Sequence, residues 1–269
     1  MVRGVDSHDL VEEEQLSQDT SKGITYPEST DHARLWEHLQ ALAEDADAII
    51  PGSVDVQTFT SSGTWTKPAG ARFVIVEVQA GGGGSGGCPS TTAGQGAASP
   101  GGAGGEYARG WFAAATVGAT EAVTIGAGGT AGAAGANAGG NGGNSSFGAH
   151  ITCNGGDGSQ AGTASSGASA SLAGADGGTG GSGGSVRVPG GDGGCSQTMS
   201  GFPVKFNNGG GSVLGAMQRS SGISVGQTAG ITGNSYGGGA AGGSNGPSLG
   251  TVAGAAGGPG IVIVTTLKA

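Results

Sequence analysis

The chain has 269 residues, 65 of them glycine, and a formal net charge of −9 from 10 basic and 19 acidic side chains. That charge is a poor match for phosphate backbones and argues against nucleic-acid partners. With 9 prolines and no sustained Gly-X-Y period, collagen is excluded, and an aromatic content of 4% leaves no material for a large core of big side chains.

Residues 1–29 are polar and acidic, with Glu12, Glu13 and Glu14 together, and are expected to form an extended N-terminal arm. The opening MVRGVDSHDLVEEEQ carries no apolar stretch of the signal-peptide kind. No run of 18 apolar residues occurs. Assembly in a cytoplasm is therefore expected, with no membrane insertion.

Residues 30–52 predict the one clear helix, TDHARLWEHLQALAEDADAII followed by Pro51–Gly52. Thr30 suits the N-cap, Asp31 suits the positive end of the helix dipole, and the Pro-Gly pair stops the helix. Leu35, Leu39, Leu42, Ala46 and Ile49 recur in steps of four and three, the seam spacing of a coiled coil. A helix this short is marginal alone, so the seam must be buried. Self-association, as a trimeric coiled coil, is the favoured expectation; packing on the chain's own C-terminal domain is the alternative.

Residues 53–269 are expected to form a glycine-rich, mainly β tip domain. Ser61–Ser62–Gly63 and Lys67–Pro68–Ala69–Gly70 read as turns. Phe73 to Val78 is a β-branched run expected to be a strand buried on both faces. Gly260–Leu267 repeats its character, and the two are expected side by side in one sheet. Further strands are expected around Trp111–Phe112, at Ala122–Ile125, as one short strand over Phe147–Cys153, and within Phe202–Gly210. Together these outline a β-sandwich into which glycine runs are inserted.

Only Gly4, Gly23, Gly52, Gly63 and Gly70 precede residue 80. The runs beyond it keep a local period of three: AGGNGGN at 138–144, GGTGGSGGS at 177–185 and PGGDGG at 189–194. An extended helix with three residues per turn has no internal hydrogen bonds. When buried it must be satisfied by neighbouring copies. Two of three positions must then be glycine so that backbones can approach, while the third, Thr, Ser, Asn or Asp, faces outward. The expected form is a polyglycine-II-type lattice.

Chemistry is sparse. No Gly-rich run continues into Gly-Lys-Ser/Thr, and no GxGxxG sits in a strand–helix unit. GGNGGNSSF (139–147) fails the calcium-binding nonapeptide, because Asn144 and Ser146 occupy the positions that need Asp and an apolar residue. Asp157, Asp176 and Asp192 read as solvated turn residues. His8, His32, His38 and His150 have no ligand spacing. Cys88, Cys153 and Cys195 are an odd set without CxxC. The expectation is no enzyme, no catalytic residue, no metal and no cofactor.

Several stretches resemble a known family. FTSSGTWTKPAGARFVIVEVQAGGGGSGG (59–87), GGAGGEYARGWF (101–112), VTIGAGG (123–129) and GGPGIVIVTT (257–266) are similar to the glycine-rich domain of tailed-bacteriophage tail fibres and minor tail proteins. DHARLWEHLQALAEDADAI (31–49) resembles the short helix preceding such domains in minor tail proteins of phages that infect actinobacteria. The resemblance covers roughly residues 30–130 and 255–269; residues 155–248 match by composition alone. It implies a homotrimeric virion protein at the distal tail, joined to other tail proteins through arm and helix, with the glycine-rich tip facing the host.

On this reading the tip attaches to a cell-surface glycan or glycolipid. Phe202, Phe206, Arg219 and Tyr236, large residues in the loops, are the candidate receptor contacts. A purely structural tail or decoration component is the alternative. An ice-binding face would need regular Thr or Ala triplets, and Thr179 stands nearly alone.

Overall fold

The structure, a computed structural model, describes residues 17–19, 25–27, 39–40, 42, 53–221 and 226–268. In the expected arm, Ser17–Asp19 pairs antiparallel with Thr25–Pro27. In the expected helix, Leu39, Gln40 and Leu42 are helical, and Leu39 and Leu42 are exposed. Leu35, Ala46 and Ile49 of the seam lie outside the described residues.

The chain is mainly β. From Asp55 to Thr266 it forms one compact unit, built as a sandwich of two five-stranded sheets. One sheet has the strand order Val186–Val188, Tyr107–Ala113, Ala71–Gln79, Ile261–Lys268, Ser53–Phe59. The other runs Ser182–Gly183, Ile151–Cys153, Ser145–Phe147, Thr120–Thr124, Gly63–Thr66. The apolar strands near the two ends of the domain thus lie side by side, as their shared character predicts.

Between the sheets sit Trp65, Val74, Val76, Val78, Phe147, Ile151 and Val264, all fully buried, with Trp65 and Phe147 packed edge to face at 5.4 Å. The run from Phe73 is a half-buried strand rather than one covered on both faces. Val74, Val76 and Val78 point inward, while Phe73 is 55% exposed on the outer face and Trp111 is exposed on the neighbouring strand. Period two places alternate residues on opposite faces, and this sheet has one packed face. Phe147–Cys153, expected as one strand, is a hairpin: Ser145–Phe147 pairs with Ile151–Cys153, turning at Gly148 with φ +48°.

The glycine runs are not insertions between strands but their continuations. Ala71–Gln79 runs straight into an extended rod at 80–88. A second rod, 99–106, feeds Tyr107–Ala113. Hydrogen bonds along 80–88 show the period of three. Gly81, Gly84 and Gly87 donate to the carbonyls of Gly143, Gly140 and Asn137; Gly82, Ser85 and Cys88 donate to those of Gly258, Ala255 and Val252. Ala80 and Gly83 donate to Glu106 and Ala103. In return, Gly156, Ser159 and Gly162 donate to Gly81, Gly84 and Gly87, while Gly129 and Gly132 donate to Gly82 and Ser85.

Rods therefore lie on every side of 80–88. The 99–106 rod is enclosed in the same way by 154–157, 175–178, 191–194, 237–243 and Gly210. One position shows why glycine is demanded: a Cβ at Gly83 would overlap the Asp157 carbonyl.

The register that pairs Ala80 with Glu106 and Gly83 with Ala103 sets Gly86 opposite Pro100, and there a side chain stands between the two rods. Gly86 N–H donates to Ser159 Oγ (2.9 Å), which donates to the Pro100 carbonyl (2.7 Å). At the perimeter the third-position residues do more than face water. Gly158 N–H donates to Asn141 Oδ1, Gly155 N–H to Asn144 Oδ1 and Gly177 N–H to Asp192 Oδ1. These are N–H groups with no rod beyond them, so the outward amide or carboxylate closes the lattice edge.

The run with the cleanest triplets, GGTGGSGGS, departs from expectation. Only its first residues belong to a rod, with Gly178 donating to Gly104. Gly180 turns left-handed at φ +79°, and Ser182–Gly183 joins the sandwich against Ile151–Thr152. A buried carboxylate fixes this exit. Glu106 accepts the N–H groups of Gly181 and Asn154 and pairs with Arg187 at 2.7 Å, a charge-assisted cluster of the stronger kind.

Candidate functional site

The rods carry the chain from the sandwich to a far end made of loops and two small sheets. One sheet orders Thr163–Ser165, Gly96–Ala98, Ser244–Asn245; the other orders Ala170–Leu172, Ser196–Met199, Phe202–Lys205. Ser200 and Gly201 both have positive φ, 48° and 77°, as a two-residue type I′ hairpin requires. The tight turn sets Met199 directly opposite Phe202, and Gln197 opposite Val204.

Period two then divides the hairpin. Ser196, Thr198 and Pro203 are buried on the inner face, and Ser196 Oγ donates to the Ala98 carbonyl at 3.0 Å. Ser196, Gln197 and Thr198 line a cavity of about 120 Å³ with Ala98, Thr163, Ala170 and Leu172. The outer face carries Met199, Phe202 and, one step past the strand, Phe206, which are 49%, 48% and 56% exposed. Large side chains are scarce in this chain, and these are left in water by a scaffold that does not use them.

The candidate contacts fall in two places. Phe202 and Phe206 lie together on the hairpin. Gly209 N–H donates to the Gln218 carbonyl, and Ser220 N–H to Asn208 Oδ1, so the exposed Arg219 runs beside Asn208, two residues from Phe206. Tyr236 is not part of this group. Its carbonyl accepts Ser212 Oγ, and the next residue, Gly237, accepts the N–H of Gly105, at the end where rods meet sandwich. Met199 was missed by reading the sequence. Its signal was the Ser-Gly pair in MSGF, which marks a hairpin and brings Met199 onto the face of Phe202.

His150 Nε2 lies 3.1 Å from Glu121 Oε1 and its ring packs on Phe112 and Phe147 in the sandwich. Burial pushes the Cys153 thiol up to about 12, with the Glu106 carboxylate adding to it, so it is no nucleophile near neutral pH. Cys88 and Cys153 are buried and Cys195 is exposed, and none of the three is in a disulfide. Among the described residues no group of His, Cys, Asp or Glu is arranged to hold a metal ion. Nor is any helix among them long and apolar enough to cross a membrane.

No curated protein matches the chain. The family model of the glycine-rich domain matches residues 56–267, a span that takes in both the sandwich and the rods. The chain belongs to the glycine-rich domain family.

Proposed function

We propose that this chain is a structural virion protein of a phage tail, a fibre or minor tail protein at the distal tail, that attaches the particle to the host surface. The observation that carries this reading is the hairpin at the far end of the rods, with Met199, Phe202 and Phe206 exposed on its outer face and Arg219 exposed beside Asn208. Aromatic and Arg side chains on a rigid support are the usual anchors of recognition. The resemblance of residues 59–87, 101–112, 123–129 and 257–266 to tail proteins supplies the biological setting. On this reading the chain performs no catalytic step. The helix seam of Leu35, Leu39, Leu42, Ala46 and Ile49 joins three copies, and arm and helix dock on other tail proteins. The protein is assembled in the host cytoplasm and resides in the virion.

Adsorption tests it. Particles, or the labelled full-length chain, carrying Phe202→Ala and Phe206→Ala should lose binding to host cells while assembly is unchanged. Undiminished adsorption would leave the chain a rigid spacer without receptor contact. Light scattering tests the assembly: a trimer of about 75 kDa, three times the 25.1 kDa chain, should fall apart when Leu39 and Leu42 become aspartate.

A further inference from the structure

The lattice flank carries a second concavity, unlike the tip in every chemical respect. Rods 137–143, 154–162 and 173–179 lie side by side there, linked by Gly142 N–H to the Gly156 carbonyl and by Asp157 N–H to the Asp176 carbonyl. Between their outward side chains is a groove of about 420 Å³. Its walls are Asn141, Asn144, Asn154, Asp157, Asp176 and Thr179, and its floor is bare glycine backbone. No large apolar side chain lines it.

The lattice fixes which way the amides face. Asn141 and Asn144 each accept a glycine N–H through Oδ1, at 2.8 and 3.0 Å. Their NH₂ groups are thereby left as donors along one wall, about 9 Å apart for a rise of about 3.1 Å per residue. Asn154 donates through Nδ2 to the Thr179 carbonyl at 2.8 Å, leaving its Oδ1 as an acceptor. The carboxylates of Asp157 and Asp176 are exposed on adjacent rods, and Thr179 adds a hydroxyl that both donates and accepts.

We propose that this groove binds a saccharide that is neutral or amine-bearing. Sugar hydroxyls donate and accept at once, and the groove offers fixed donors on one wall and fixed acceptors on the other. A backbone locked into a lattice does not have to be ordered on binding, which removes part of the usual entropic cost. The two carboxylates reject phosphates and uronates, in keeping with a net charge of −9. A groove of this volume is in the range of small-ligand sites, about 300–1,000 Å³, and far exceeds what a single ion needs. The site stands on its own geometry; only the source of the sugar, a host surface, rests on the attachment reading.

The test titrates the full-length chain with neutral tetrasaccharides of glucose, galactose, mannose and arabinose, a glucosamine tetramer and a galacturonate tetramer, followed by ligand-observed NMR and calorimetry. At least one neutral or amine-bearing probe should bind with a millimolar or lower Kd, and galacturonate should not. Asp157→Ala with Asp176→Ala should weaken binding by about tenfold or more, and Thr179→Trp should block the groove. Neither change touches a lattice hydrogen bond, so thermal unfolding should match the native chain.

Phe202→Ala with Phe206→Ala should leave saccharide affinity unchanged. Silence across the panel at about 10 mM, equal binding of galacturonate, or full affinity in both groove variants would overturn the proposal. Saccharide binding at the groove with no loss of cell adsorption in the groove variants would leave the site standing and remove the host surface as its source.

Discussion

The sandwich and the rod lattice solve the same problem with opposite materials. In the sandwich, side chains do the work: Trp65, Phe147, Ile151 and seven valines form the buried core, and burying each such side chain contributes about 1.5–3 kcal/mol. In the lattice the side chain is the obstacle. Rods approach so closely that their carbonyls occupy the place of a Cβ, and cohesion comes from hydrogen bonds of about 0.5–1.5 kcal/mol net each, repeated along every rod. A core of side chains can be thinned at a cost, because neighbours relax only partly into the gap. A core of backbone cannot be thickened at all.

The sharpest test of that contrast is to add one carbon to the lattice. Gly83→Ala would set its Cβ against the Asp157 carbonyl, on a rod enclosed on all sides. Moving that rod breaks bonds to several others. We expect a loss above about 4 kcal/mol, seen as the absence of a cooperative urea transition by circular dichroism. A stable Gly83→Ala chain would mean that the rods can separate, and the lattice would no longer count as a rigid scaffold.

Removing carbon from the sandwich should be milder. Phe147→Ala deletes a fully buried ring that packs on Trp65 and lies in the same core as Val123 and Ile151. The expected cost is about 3–5 kcal/mol, with a single transition retained at lower urea. If Phe147→Ala costs more than Gly83→Ala, the sandwich and not the lattice is the more fragile region.

How far the sequence revealed this contrast depends on which residues bear the signal. The β-branched strands near residues 73 and 261 and the turn residues between them announce a sheet, and period three in AGGNGGN announces rods. In GGTGGSGGS the periodicity says what the segment can form and not where it stops. The exit at Gly180 is decided by Glu106 and Arg187, 74 and 7 positions away in the chain. The bridging hydroxyl of Ser159 was invisible for the same reason: it matters only because Pro100, far off in sequence, lands across from Gly86. At the tip, the phenylalanines were legible as large residues among small ones, whereas Met199 joined them through a turn. The flank groove is a product of three rods and had no local signature.

Ser159 gives a smaller test of lattice continuity. Its hydroxyl accepts from Gly86 and donates to Pro100, both in the interior. Ser159→Ala leaves a buried N–H and a buried carbonyl unpaired, which should cost about 1–3 kcal/mol. Cys in its place keeps a weak donor and acceptor and should recover part of the loss. Equal midpoints for all three in urea would show that water replaces the hydroxyl and that the lattice tolerates a break.

The smallest expected effect separates the two regions by pH. Burial alone would raise the Glu121 carboxyl. The N–H of Gly118 at 2.7 Å and the His150 ring at 3.1 Å outweigh it and hold the group below its ordinary value of 4.5. A carboxylate depressed in the folded state adds stability that is fully present above its unfolded value. That stability is lost as the pH falls through the folded one. The native chain should therefore exceed Glu121→Gln in stability at neutral pH, and the gap should close as the pH drops below about 4.5. Most lattice bonds join neutral amides to carbonyls, which do not titrate, so Ser159→Ala should keep the same deficit at both ends of the range. Urea midpoints of the native chain and the two variants, taken across that range, decide it. A Glu121→Gln gap that ignores pH would remove Glu121 as the acid-sensitive element of the sandwich, and a Ser159→Ala deficit that shrinks in acid would show that charge, as well as amide pairing, holds the rods together.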